Sequence, residues 1–255
     1  MDVMNLIESL FRWIHVVAGI LWIGLLYFFN WVNSAFAPTM DGDTKKKVVP
    51  ELIPRALFWF RWGAAFTWVT GVLLLLIVFY HGRAAFEDVG QGFGVGALLM
   101  IALTFLAVFI YDVLYKGPLK DPGTGFWAGL ALAFVALLLF RWVGGFGFRG
   151  MSIHLGAMFG TTMAFNVWFR IWPSQQKIIT ATKNGETPPA DLVALAGTRS
   201  RHNTYMSVPL VFTMLNYHNT WAAGPASPIL LGIIVLVGWA IVYHLYSVAP
   251  KVKGF

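Results

Sequence analysis

About seven stretches of this chain, near residues 7–30, 60–80, 94–115, 124–142, 152–172, 204–219 and 228–248, approach the roughly 20 mostly apolar residues needed to cross a hydrocarbon layer. That one feature decides the class of fold. A chain with so many apolar runs solves its solvation problem in lipid. Within lipid every backbone N–H and C=O must be satisfied inside the segment, which leaves helices. Composition agrees: 58% of the 255 residues are hydrophobic and 11% are charged, against about 25% charged in soluble domains. The reading is an all-α, polytopic transmembrane helix bundle of about seven spans, one integral membrane domain over 1–255. The first apolar run is long enough to stay as a span, and no small-residue cleavage pattern comes after it.

Two hydrophilic segments, about 37–57 and 173–203, carry Lys, Asp, Glu and Pro and read as surface loops. The side holding the first of them collects Lys45, Lys46, Lys47, Arg55, Arg61, Lys116, Lys120, Arg170, Lys177, Lys183, Arg199, Arg201, Lys251 and Lys253. The other side has Arg12, Arg83, Arg141 and Arg149. Fourteen bases against four place both loops in the cytoplasm, the N-terminus outside and the C-terminus inside. The same rule accounts for the net charge of +7, which in a soluble protein would point to nucleic acid; none is expected here.

Chemistry is narrowed by absence. With no cysteine there is no disulfide, thiolate nucleophile, iron–sulfur cluster or covalently attached haem. No His-Glu-x-x-His, nucleotide-binding glycine loop or serine elbow is present. Ionisable groups inside spans are costly and are functional candidates by default. His15 lies just inside the first span and His154 near the start of the fifth. These two spans run in the same direction, so both imidazoles fall at similar, outer depth. Two such imidazoles could ligate one haem b iron from both sides. Gly19, Gly156 and Gly160 would let a flat macrocycle approach, and Arg12 and Arg149 could pair with its propionates. The alternative is that each histidine hydrogen-bonds between helices. His202, His218 and His244 are weaker metal-ligand candidates near helix ends. Asp112, close to the end of the third span, reads as a snorkelling carboxylate, and Asn166 with Arg170 reads as packing and an anchor.

Three segments carry a resemblance: Arg12–Gly24 around Trp13-Ile14-His15-Val16-Val17-Ala18-Gly19; Ile153-His154 running on through Gly160–Gln175; and Ser200–Leu210 with Asn216-Tyr217-His218 beyond it. Together they resemble the membrane domain of the bacterial membrane-bound urate hydroxylase family (PuuD type). The resemblance implies oxidising chemistry in the bacterial inner membrane, with electrons delivered to cytochrome c. The family's C-terminal cytochrome c domain has no counterpart in this sequence. The loop at Met40–Lys47 also departs from the family's longer, Gly- and aromatic-rich segment.

The leading expectation is therefore a haem b-binding membrane redox subunit related to urate hydroxylase. It would pass electrons to a cytochrome c-type protein or to other membrane subunits. Urate hydroxylation with cytochrome c in trans is the first alternative. A cofactor-free structural or assembly subunit of a membrane complex is the second. Metal transport ranks last, since intramembrane acids are few and no Met-x-x-Met series exists.

Overall fold

The structure, a computed structural model, describes residues 3–88, 90–219 and 221–253. Among these the chain is helical, with no strand. The long helices are α1 (Val3–Tyr27), α2 (Gly42–Leu74), α3 (Val95–Lys116), α4 (Pro122–Trp142), α5 (Phe148–Asn166), α6 (Trp172–Asn184), α7 (Ala190–Asn216) and α8 (Ser227–Val248). Three π-helical turns continue them: π1 (Phe28–Asn33) after α1, π2 (Leu75–His81) after α2, and π3 (Val167–Ile171) between α5 and α6. Five helical stretches, Val3–Thr39, Gly42–His81, Val95–Lys116, Pro122–Trp142 and Ser227–Lys251, are long and apolar enough to cross a membrane. The protein is a multi-pass helical membrane bundle.

The other two expected spans, 152–172 and 204–219, are helical but more polar, and the reason is burial. Along α5, Ser152, His154, Thr162 and Asn166 are all buried, as are Asn203, Thr204, Ser207 and Thr213 along α7. A helix whose surroundings are protein satisfies polar side chains locally and needs no continuous apolar surface. Gly156 shows how close the packing is. A Cβ there would collide with Thr213 and Met214 of α7, so the glycine exists to let that helix in.

The two hydrophilic segments are not loops. Asp41 caps α2, its carboxylate accepting from the Thr44 N–H at 2.8 Å, and the helix then runs unbroken from Gly42. Those hydrogen bonds hold the Asp41 carboxyl below its ordinary range. Pro50 and Pro54 sit one turn apart, so their missing donors fall on one helix face, and Glu51 and Arg55 bridge the same turn. In the second segment, only the turn around 185–189 is irregular. Gly185, at φ 76°, ends α6 in the left-handed conformation that glycine adopts without strain. At α4, Asp121 accepts from the Thr124 N–H at 2.8 Å and Pro122 occupies the first turn. Hydrophilic composition identifies surface, but helix caps and i,i+4 pairs decide the backbone.

By its internal contacts the chain divides into two compact units. Unit 1 comprises 1–8, 71–162 and 206–240; unit 2 comprises 9–70, 163–205 and 241–255. Unit 1 packs around Leu137, Phe140, Phe146, Met151, Leu155, Leu231 and Val235. Unit 2 packs around Trp22, Leu26, Leu57, Phe60, Ala64, Met163 and Val167.

Candidate functional site

His154 and His15 belong to different units and have different surroundings. His154 is fully buried in unit 1. Its Nδ1 lies 2.7 Å from the Gly150 carbonyl, which can only accept, so Nδ1 carries the proton. Nε2 is then an acceptor, and it receives the Tyr80 hydroxyl at 3.0 Å. The ring stacks on Phe146 at 4.2 Å, with Phe140 and Tyr80 closing further sides. Both nitrogens are occupied.

His15, in unit 2, is half-buried. Its Nδ1 donates to the Thr67 carbonyl at 2.9 Å and lies 3.2 Å from Thr70 Oγ1. With Nδ1–H committed in this way Nε2 carries the lone pair, the tautomer that metal-ligating histidines adopt. Gly19 packs on Thr67. Arg12 and Arg149 are exposed.

The side chains therefore do not fit a haem held by both histidines. His15 offers a nitrogen, whereas His154 would first have to give up Tyr80. The glycines beyond His154 are no cradle either, since Gly156 accommodates α7 and Gly160 faces Leu210. His154 matches the alternative role of a hydrogen-bonding residue between helices. His202 is half-buried, while His218, His244 and His81 are exposed. No group of three metal-ligating side chains occurs among the described residues.

What does come together is a polar cluster within unit 2, at the far ends of the recognisable segments. Asn30, buried in π1, donates from Nδ2 to the Leu26 carbonyl at 2.9 Å and to Ser200 Oγ at 2.8 Å. Its Oδ1 accepts the Tyr246 hydroxyl at 2.7 Å. The Tyr246 ring stacks with Tyr205 at 6.0 Å and carries the Arg201 guanidinium 5.1 Å from its centroid. In the same unit, Asn166 Nδ2 donates to Asn203 Oδ1 at 2.9 Å, and Asn203 Nδ2 donates to the Met163 carbonyl at 3.0 Å. Asn166 is thus an interhelical hydrogen-bonding residue. Arg170 lies over Phe165 and donates to the Phe169 carbonyl. Asp112 is buried and pairs with Lys116 at 2.7 Å, one turn on.

Of the cluster's members, sequence alone marks Arg201 as a base and Ser200–Tyr205 as a recognisable segment; it does not mark Asn30 or Tyr246. Their available signal is an amide and a phenol at the ends of apolar spans, where neither is needed for insertion.

These residues lie in a chain whose whole described length fits one pattern, the family model for the urate oxidase N-terminal region, which matches residues 1–254. The chain belongs to the urate oxidase N-terminal family. No curated protein and no solved structure matches it. Both polar groups, Tyr80–His154 in unit 1 and Asn30–Ser200–Tyr246 in unit 2, fall inside the matched region.

Proposed function

We propose that this urate oxidase N-terminal family member is the membrane part of a urate-hydroxylating oxidoreductase of the bacterial inner membrane, handing electrons to a cytochrome c-type partner or to other membrane subunits. The observation that supports it is the family match over 1–254, which includes every residue of the unit 2 cluster. The reaction takes the oxygen atom of water into urate and releases two protons and two electrons. Two ferric cytochromes accept the electrons one at a time. A haem held by both His15 and His154 has no part in this step, since both His154 nitrogens are engaged.

Urate is planar, anionic at neutral pH, and edged by alternating N–H and C=O groups. The unit 2 cluster has matching chemistry: the Arg201 cation, the flat rings of Tyr205 and Tyr246, and the amide and hydroxyls of Asn30, Ser200 and Tyr246. Arginine supplies charge and a planar fork; aromatic faces supply a platform. Arg201 and the tyrosine faces would meet the substrate, while Asn30, its amide already committed to Leu26, Ser200 and Tyr246, would orient it by holding Tyr246 in place.

The test is urate consumption by membranes containing the protein, with added ferricytochrome c and its reduction monitored in the same cuvette. Two cytochromes reduced per urate lost is the expected ratio. Arg201→Gln should raise KM for urate about tenfold or more, the scale of one charge-assisted contact. Membranes that consume no more urate than those lacking the protein would refute the proposal, leaving the structural-subunit alternative.

A further inference from the structure

Arg61 in α2 is a cation with no counter-charge among the described residues. Its guanidinium carbon lies 3.9 Å from the Trp172 ring centroid and 5.7 Å from those of Trp168 and Phe58. The cage is fixed from its own backbone, since the Trp168 indole N–H donates to the Arg61 carbonyl at 3.0 Å. Trp62 meets Trp168 edge-on at 5.5 Å. Among the described residues no carboxylate pairs with the Arg61 guanidinium and no acceptor bonds to it, and Nε is buried without a partner. The nearest acid on α2, Glu51, is taken by Arg55, and Asp43 lies beside Lys46.

Aromatic faces stabilise a guanidinium from above and below but leave its N–H edge unserved. Arg61 is half-buried and its Nε is covered, so its terminal Nη groups are the part that reaches the surface. The surface there has a definite character. Arg61 immediately precedes the apolar half of α2, beside Trp59 and Trp62, which are 56% and 40% exposed. Trp168 and Trp172 mark the end of the apolar part of the α5–π3 stretch. Tryptophans concentrated at span ends sit at headgroup level. What meets an arginine edge at that level is a lipid phosphate.

We propose that Arg61, seated on Trp172 and Trp168, holds the phosphate of one anionic phospholipid. Two features select an anionic over a zwitterionic lipid. Among the described residues no acid balances Arg61, and nothing at the cage would attract a choline that the aromatic faces have not already given to the guanidinium. The contact is a charge-assisted, forked hydrogen bond, which arginine makes and lysine makes only as a point charge.

Native mass spectrometry of the purified protein, titrated with phosphatidylglycerol or phosphatidylcholine of identical acyl chains, tests it. The wild type should retain one phosphatidylglycerol about tenfold more tightly than phosphatidylcholine. Arg61→Gln should remove that preference. Arg61→Lys should keep part of it, and serves where the glutamine variant does not fold by circular dichroism. Arg55→Gln, which removes an exposed, already paired base, should change nothing. Equal retention of both lipids by the wild type would overturn the proposal, as would undiminished phosphatidylglycerol binding by Arg61→Gln. Displacement of the lipid by equimolar glycerol phosphate would overturn it too, since the site would then belong to a free phosphate.

Discussion

Replacing Tyr80 by Phe removes one oxygen atom and tests what His154 is for. In the native protein the Tyr80 hydroxyl donates to His154 Nε2 at 3.0 Å, while Nδ1–H is committed to Gly150. Phenylalanine keeps the ring contact with Phe93 but leaves a fully buried acceptor with nothing to accept. An orphaned buried acceptor costs about 1–3 kcal/mol in soluble proteins. Interhelical hydrogen bonds in membrane bundles average about 0.6 kcal/mol, up to about 1.7. His154 is enclosed by protein rather than lipid, so roughly 1 kcal/mol is expected for Tyr80→Phe. For a chain of this size that is about 2–4 °C of melting temperature in detergent. His154→Leu should cost more, because it leaves the Tyr80 hydroxyl without its partner and loses the stacking on Phe146. The decisive quantity is the double mutant. If the two residues act as one pair, Tyr80→Phe should add almost nothing to His154→Leu, a coupling of about 1 kcal/mol. Strictly additive losses would refute the pairing. A Tyr80→Phe protein that gained a haem spectrum absent from the wild type would show instead that the hydroxyl had been masking an iron ligand.

Other positions yield sharper single tests. Gly156→Ala should lower the melting temperature by several degrees, because its Cβ meets Thr213 and Met214, whereas Gly197→Ala, with open space around it, should leave it unchanged or slightly higher. Asp121 should carry a pH signature: hydrogen bonds from Thr124 hold its folded pKa below the unfolded value, so its stabilisation of α4 is complete above that unfolded value and is lost as pH falls through the folded one. Amide exchange at Thr124 and Gly125 should quicken below about pH 4 in the wild type, and an Asp121→Asn protein should lack that step. Cysteines placed at Lys46 and Lys183 should resist impermeant thiol reagents in intact cells if the basic face is cytoplasmic; labelling from outside would invert the topology.

Much of the architecture is legible in the sequence because lipid imposes it. Apolar runs of the right length identify α3, α4 and α8 nearly to their ends. The departures have a common physical source. Composition reports what surrounds a segment, not what its backbone does. Residues 42–57 are hydrophilic because they are exposed, yet an Asp41 cap and the Glu51–Arg55 bridge make them helical. Residues 152–172 are polar because α5 faces protein. The histidines illustrate the same limit at the level of chemistry. Depth alone pairs His15 with His154, but the role of an imidazole is set by what its two nitrogens touch. Tyr80, seventy-four positions from His154 in sequence, carries no signal that the two would meet.

The three π turns share one physical logic. Each widens a helix by one residue per turn, and such insertions gather at functional sites. Here each carries a polar side chain that reaches a second helix: Asn30 of π1 to Ser200, Tyr80 of π2 to His154, Trp168 of π3 to the Arg61 carbonyl. A regular α-helix in an apolar bundle has its backbone donors already spent and presents a stripe of hydrocarbon. Inserting a residue shifts the stripe by about 100°, so that a polar side chain facing the interior is offset from the apolar ones before and after it. That gives a bundle made largely of Leu, Phe, Val and Ala three fixed polar crossings. The urate oxidase N-terminal fold would lose them one at a time if the insertions were removed. Deleting Trp31, which restores α-helical phase across π1, should turn Asn30 away from Ser200 and Tyr246 while leaving helix content unchanged by circular dichroism. If the Asn30 network is what orients substrate, that deletion should abolish urate binding without unfolding the protein; unchanged binding would mean the π turn only absorbs packing irregularity.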